Sequence, residues 1–237
     1  MRSFRKLAPF ALFATVLLLS RSASAEDLKQ YLQRLDSAAK DFHTTTASFE
    51  FDTIQTDPVP DTDVLTGTVY YERSGGHFQM AAHAHERTNG DTSKEREHNK
   101  QPAATTYIFS GGVLRQSDTG KASDAHTIDQ ASKYESYLML GFGASGTDLA
   151  SKWDITYLGP DKTVTTAKGL PTDKLELVAK DPTVRKNLQK VTLWMDTDHA
   201  VSIKQIFDEG VGVSRVSHYT DFKLNQPLPA NAFSFAK

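Results

Sequence analysis

The chain has no cysteine. That absence excludes structural disulfides. It also excludes covalent lipid anchoring, which in an exported lipoprotein needs a Cys at the new N-terminus. Long apolar runs are scarce too. The best one, residues 8–20, holds about a dozen apolar positions against the roughly 20 that a membrane-spanning helix requires, and no later stretch is long and apolar enough. Nor does one charge dominate: 27 Lys and Arg stand against 29 Asp and Glu, a net charge of -2, with no basic block. A nucleic-acid surface is therefore not expected. What the chain does have at its start is the pattern of an export signal. Arg2, Arg5 and Lys6 form a basic region, residues 8–20 an apolar one, and Ala23-Ser24-Ala25 a small-x-small cleavage site. Residues 1–25 are read as a signal peptide removed before Glu26. Residues 26–237 remain, an ordinary length for one large β-sheet domain, with no linker or internal repeat to divide them.

Behind the cleavage site the hydrophobic period is helical. Leu28, Tyr31, Leu32, Leu35, Ala38, Ala39 and Phe42 recur at three- and four-residue spacing, predicting an amphipathic helix over residues 27–42 with one buried stripe. Glu26 and Asp27 fall in its first turn, where negative charge suits the positive end of the helix dipole. The period then drops to two. Residues 47–56, 66–73 and 78–86 read as three consecutive antiparallel strands, broken by Pro58, Pro60 and Gly75-Gly76. Phe49 and Phe51, then Val69, Tyr71 and Arg73, then Phe78 and Met80 sit at i, i+2 positions, so each set projects from one sheet face. Residues 87–103 are polar with no apolar period and read as an exposed loop or a long hairpin tip. Residues 107–110 and 113–116 predict a hairpin about Gly111-Gly112. Thr127-x-x-Gln130 has capping-box spacing ahead of a second helix carrying Ile128, Ala131, Tyr134, Tyr137, Leu138 and Phe142. Strands are expected again at residues 153–158, 163–167, 174–179, 190–196, 200–208, 212–223 and 233–235, with turns such as Gly159-Pro160 between them. This order predicts an α+β fold with helices gathered on one side of a large antiparallel sheet.

Val191-Thr192-Leu193-Trp194-Met195-Asp196, then Tyr219-Thr220-Asp221-Phe222 and Leu228-Pro229-Ala230-Asn231-Ala232-Phe233-Ser234-Phe235, resemble the ending of the outer-membrane lipoprotein carrier family, the LolA-like periplasmic proteins. Gly67 to Arg73 with His77-Phe78, and Tyr107 to Gly112, resemble two of its earlier stretches. The resemblance implies an unclosed, strongly curved antiparallel β-barrel, a half-barrel whose concave side is covered by helices. It implies a single LolA-like domain over residues 26–237, in the periplasm of a Gram-negative cell. The implied function is a carrier that binds lipid or lipoprotein acyl chains in a hydrophobic cavity and moves them toward the outer membrane. An exposed methylene costs about 0.8 kcal/mol in water, so such a carrier must offer an apolar hollow of matching area. The implied partners are the acylated lipoprotein or lipid cargo, an inner-membrane release complex and an outer-membrane acceptor. No nucleic acid, cofactor, metal or catalytic residue is implied, and nothing demands more than a monomer.

The expected lipid-facing residues are Phe49, Phe51, Val69, Tyr71, Phe78 and Met80 on the first strands, Tyr137, Leu138, Leu140 and Phe142 as the lid, and Leu193 and Met195 in the C-terminal block. The plainer alternative is a filled core, since protein interiors are normally close-packed. Arg73 matches the family arginine that hydrogen-bonds the lid backbone and holds the empty carrier closed. Gly141-Phe142-Gly143-Ala144-Ser145-Gly146 fits G-x-G-x-x-G, but it follows a helical pattern rather than a strand and reads as a helix end, not a pyrophosphate cradle. His83 and His85, with His77, share strand parity and could hold Zn or Cu, although no Cys or diagnostic carboxylate spacing assists them. No G-x-S-x-G elbow supports a serine hydrolase. The second functional reading is an envelope-sensing or regulatory interaction module on the same barrel, and the third a hydrolase or metal-dependent enzyme.

Overall fold

In the computed structural model, the described residues are 26–74, 77–128, 137–138, 140–210 and 212–237. The expected signal peptide, the turn Gly75-Gly76 and residues 129–136 of the expected second helix lie outside them.

The chain begins with helix α1, Leu28–Lys40. Asp27 is its N-cap rather than part of its first turn: its carboxylate accepts from the Gln30 amide at 2.8 Å, and the Gln30 side chain accepts from the Asp27 amide, a capping box. Tyr31 and Leu35, on the predicted stripe, are fully buried. Phe42 lies just past the helix end, buried against the edge of the Tyr71 ring at 5.7 Å.

Twelve strands follow: β1 Thr44–Gln55, β2 Asp61–Ser74, β3 His77–Asn89, β4 Gln101–Pro102, β5 Thr106–Ser110, β6 Val113–Ser117, β7 His126–Thr127, β8 Trp153–Thr165, β9 Pro171–Ala179, β10 Lys190–Asp196, β11 Val201–Gly210 and β12 Val213–Leu224. Short helices α2 Ser93–His98, α3 Gly146–Lys152 and α4 Pro182–Arg185 interrupt them. All strands join one antiparallel sheet in the order β7-β6-β5-β3-β2-β1-β12-β11-β10-β9-β8, with β4 added to β3. β7 and β8 stand at opposite ends and do not pair, so the barrel is unclosed.

The sheet curls. Leu114 on β6 and Phe207 on β11 line the same cavity, yet six strand spacings separate them, ~29 Å in a flat sheet. Bulges contribute the bend: the register slips in the β1–β12, β2–β3, β8–β9, β10–β11 and β11–β12 pairs.

Two apolar clusters occupy the concave side. One packs α1 (Tyr31, Leu35) and Leu149 of α3 onto Leu175, Leu177, Val191, Leu193 and Met195 of β9 and β10. The other joins Phe49, Val69, Tyr71, Met80, Phe109 and Tyr219 from the strands on the other side to Phe42 and Phe142.

Several local expectations are corrected. Residues 87–103 follow the hairpin-tip alternative rather than the bare loop: β3 runs on to Asn89, α2 follows, and β4 pairs back onto β3. Thr92 caps α2 in a second capping box with Glu95, a spacing readable in the sequence. Thr127 pairs with Arg115 in β7 instead of opening a helix. Gly159-Pro160 does not end a strand: β8 passes through it with a register slip, and as an edge strand it tolerates a residue with no N–H to give. Residues 233–235 form no strand. Pro227 and Pro229 lead into turns closed by the Ala232 and Ser234 amides, and only Ala236 bridges back, to Lys121.

Leu193 is fully buried in the cluster beneath α1. Leu193→Ala is expected to destabilise the fold by about 2–5 kcal/mol in denaturant unfolding.

Candidate functional site

Where α1 does not reach, the concave side is not filled. A cavity of about 450 Å³ lies there, within the ~300–1,000 Å³ of small-molecule pockets. Directly paired residues on neighbouring strands put their side chains on the same face, so the register orders the walls into rows. The outermost row runs Asp63, Thr53, Arg215, Phe207. Two residues deeper comes Leu65, Phe51, Ser217, Gln205, and below that Phe49 beside Tyr219. Met80 and Ala82 of β3, Tyr107 of β5 and Leu114 of β6 complete the wall. Charge marks the mouth: Arg215 pairs with Glu209 at 2.9 Å and Arg87 with Asp63 at 2.6 Å. Asn187 and Glu209 also border it.

Tyr137, Leu138, Gly141 and Phe142 form the roof. Tyr137 packs near Phe207, with ring centroids 5.8 Å apart, and Phe142 packs on Tyr71 and Tyr219 at 5.4 and 4.9 Å. The glycine-rich motif lies at the end of this roof. Its amides and carbonyls tie it to the start of β11: Gly143 donates to Ala200 at 2.7 Å, and Ser202 donates to Gly141 at 2.8 Å. Gly143 takes φ +65°, and a side chain there would run into the Phe42 ring; one at Gly146 would run into the Leu32 carbonyl of α1. These glycines serve close packing between roof, α1 and α3, whose N-cap is Ser145. They form no strand-to-helix turn of the kind that cradles a pyrophosphate.

Arg73 projects from β2 on the same face as Tyr71 and Val69. Its guanidinium donates to the Gly143 carbonyl and to Asp148 Oδ2 at 2.8 Å. Burial alone would push the Asp148 carboxyl up. The Arg73 charge and hydrogen bonds from Arg73 and Ser145 outweigh it and hold the group below its ordinary value. The β2 arginine is thereby clamped to backbone and carboxylate at the base of the roof.

The twelve expected lipid-facing residues divide. Phe51, Met80, Tyr137, Leu138 and Phe142 line the cavity. Phe78 borders a second hollow of about 290 Å³, at the far end of the strands beside Phe109. Phe49, Val69 and Tyr71 are buried in the packing around the cavity, and Leu140, Leu193 and Met195 lie in the cluster under α1. The sequence reading missed Leu65, Tyr107, Leu114, Gln205, Phe207, Arg215 and Tyr219. Leu65 shares the parity of Val69 and Tyr71, a usable signal. Gln205 carries no such signal, since nothing local says that a polar strand residue faces inward.

The histidines are taken up by strand contacts. His83 Nε2 lies 2.8 Å from the Ala232 carbonyl and its Nδ1 3.4 Å from Thr106, while His85 Nε2 lies 3.1 Å from Thr68. Among the described residues no group of three or more His, Asp or Glu is placed to hold a metal ion. No helix among them is long and apolar enough to cross a membrane.

No family model and no curated protein matches the chain. Solved structures that resemble it include an outer membrane lipoprotein-sorting protein domain from Vibrio parahaemolyticus, at 12% identity and a TM-score of 0.42, covering 87% of this chain and 97% of that one. A LolA superfamily protein from Nitrosomonas europaea shows 16% identity and a TM-score of 0.39, covering 89% and 98%. LprF from Mycobacterium bovis shows 14% identity and a TM-score of 0.42, covering 89% and 100%. The fold class itself, α+β with one unclosed antiparallel sheet, is read from the strand order above.

Arg73→Leu strips a donor from a carbonyl and a partner from Asp148. It is expected to cost about 1–3 kcal/mol and to raise amide hydrogen exchange across residues 141–148. Because the Asp148 pKa is depressed on folding, the wild-type contribution is present above the ordinary carboxylate range and is lost as pH falls through the folded value. The gap between wild type and Arg73→Leu in thermal melts should narrow toward acid pH.

Asp52 behaves oppositely. It sits on the other face of β1, flanked by its partners Val64 and Val216. Burial, with Glu50 nearby, pushes its carboxyl up to about 6, although Arg96 and Lys204 oppose the shift. The folded state then holds the proton more tightly than the unfolded chain, so stability falls as pH rises from the ordinary carboxylate value through about 6. Asp52→Asn should therefore raise the melting temperature more at pH 8 than at pH 4.

Proposed function

We propose that this protein is a non-enzymatic, exported carrier that holds an acyl chain in the roofed cavity and passes it on. The observation that carries the reading is the cavity itself: an unfilled, mainly apolar volume on the concave face of an unclosed sheet. Native interiors are ordinarily packed to the density of organic crystals, so a hollow walled by Phe51, Leu65, Met80, Leu114, Leu138 and Phe142 needs a reason. At the ~30 Å³ that one water occupies in the liquid, and a methylene group takes about as much, it has room for on the order of 15 such units. That suits one alkyl chain.

Reversible transfer also needs a roof that can leave. The segment over the cavity is held at its base by the Arg73 guanidinium, a polar clamp that water can replace far more readily than it can replace buried apolar packing. Opening would expose the tail to a membrane or acceptor while α1 and its cluster stay folded. The compartment is the periplasm, on the strength of the export signal in residues 1–25, and the cargo class is a lipid or an acylated protein. The chain acts as one domain and a monomer, collecting cargo at the inner membrane and delivering it toward the outer. Arg73 serves as the lid lock.

Protein purified from its own compartment should carry stoichiometric lipid or acylated protein in native mass spectrometry, and repeated failure to find any would remove the reading. Leu65→Trp places an indole in the middle row of the cavity. It is expected to cut acyl-chain binding at least tenfold while leaving the melting temperature within a few degrees of wild type, as measured by ligand displacement and calorimetry.

A further inference from the structure

Gln205 is the anomaly in the cavity wall. Its paired neighbours in β10 and β12 are Leu193 and Ser217, and the row continues to Phe51 and Leu65. A leucine would fit this row. Instead a glutamine is 2% exposed, and its side-chain amide nitrogen is buried without a hydrogen-bond partner among the described residues. Gly141 of the roof lies over it, so close that a Cβ there would stand 3.2 Å from Nε2. An amide buried this way loses its water without compensation, which native folds rarely accept away from a functional site.

Position gives the amide a use. Gln205 lies two residues, ~7 Å, inside the charged row at the mouth. Beyond it toward Met80, Ala82, Leu114 and Phe142 the wall is apolar. Ser217 in the same row and the Tyr219 hydroxyl one row further in border the cavity as well, and burial pushes the Tyr219 phenol up and keeps it neutral. An amphiphile lying along the cavity would put its polar end at Arg215 and Glu209, its first linkage beside Gln205, and its tail in the apolar end.

We propose that Gln205 is a specificity-determining residue that donates a hydrogen bond to the carbonyl oxygen of an acyl group, so that the cavity selects single-chain acyl amphiphiles over plain hydrocarbon. This rests on the carrier reading above and narrows it to a ligand class. Free fatty acid and acyl ester share the required oxygen, and the test separates them.

Delipidated full-length mature protein is titrated with lauric acid, methyl laurate and dodecane, each by displacement of N-phenyl-1-naphthylamine. Wild type should bind the two oxygenated probes roughly five- to tenfold tighter than dodecane, the size of one net hydrogen bond. A preference for lauric acid over its ester would point to free fatty acid, and equal binding to an acyl linkage. Gln205→Leu, and Gln205→Met as the closer match in shape, should erase the preference, still bind dodecane, and melt no lower than wild type. Discrimination that survives in both variants, or wild type that binds all three probes equally, overturns the role of Gln205 and leaves the carrier reading standing. Wild type that binds none of the three overturns the carrier reading itself.

Discussion

An antiparallel sheet whose edge strands never meet has to hide its apolar face by bending over it. Every other feature of this protein follows from how that face is covered. Strands β8 to β10 are covered by α1, whose stripe of Tyr31 and Leu35 meets Leu175, Leu177, Val191 and Leu193, and there the interior is solid. Strands β1 to β6, with β11 and β12, curl toward the same side and have the roof, Phe42 and Phe142 above them. One helix cannot span a sheet of this width, so the remainder stays hollow.

The two halves are stabilised by different chemistry. Under α1 the contacts are apolar, and a polar cluster seals the rim: Arg34 bridges Glu26 and Asp173 at 2.7 and 2.8 Å, and Tyr157 donates to Asp173 at 2.8 Å. Hydrogen bonds donated to Glu26 raise the Arg34 pKa still further, while burial and the neighbouring Asp173 push the Tyr157 phenol up. Over the cavity, by contrast, aromatic faces meet an arginine clamp, and the glycine-rich motif lets the roof lie close to α1 and Phe42. One half of the sheet is thus packed solid beneath a helix, and the other is only lightly roofed.

Much of this was legible from residue order. The helical stripe at 28–42, the period-two runs of β1 to β3 and the Gly111-Gly112 hairpin are local patterns, and local patterns report backbone geometry directly. Arg73 was legible through resemblance, and the structure places its guanidinium on the Gly143 carbonyl. The cavity lining was legible only in part. Phe51 and Met80 line it, but Val69 and Tyr71 on the same face are sealed within the cluster, although Tyr71 pairs directly with Met80. Parity names the face of a residue and not whether it reaches the void. Likewise Leu193 and Met195 alternate as expected but fall under α1, because which strand lies beneath which helix depends on chain order across the whole sheet.

By itself, then, the sequence determined the class of fold, the faces of most strands, the export signal pattern and the arginine at the roof, since each depends on neighbours within a few residues or on a motif. Only the tertiary structure decided where the concave face is filled and where it is hollow, which inward residues touch the void, and that the Gln205 side-chain nitrogen has no hydrogen-bond partner among the described residues. Those are properties of volume and of distant pairings, produced by the curl of the sheet and the reach of one helix, and no short stretch of chain contains them.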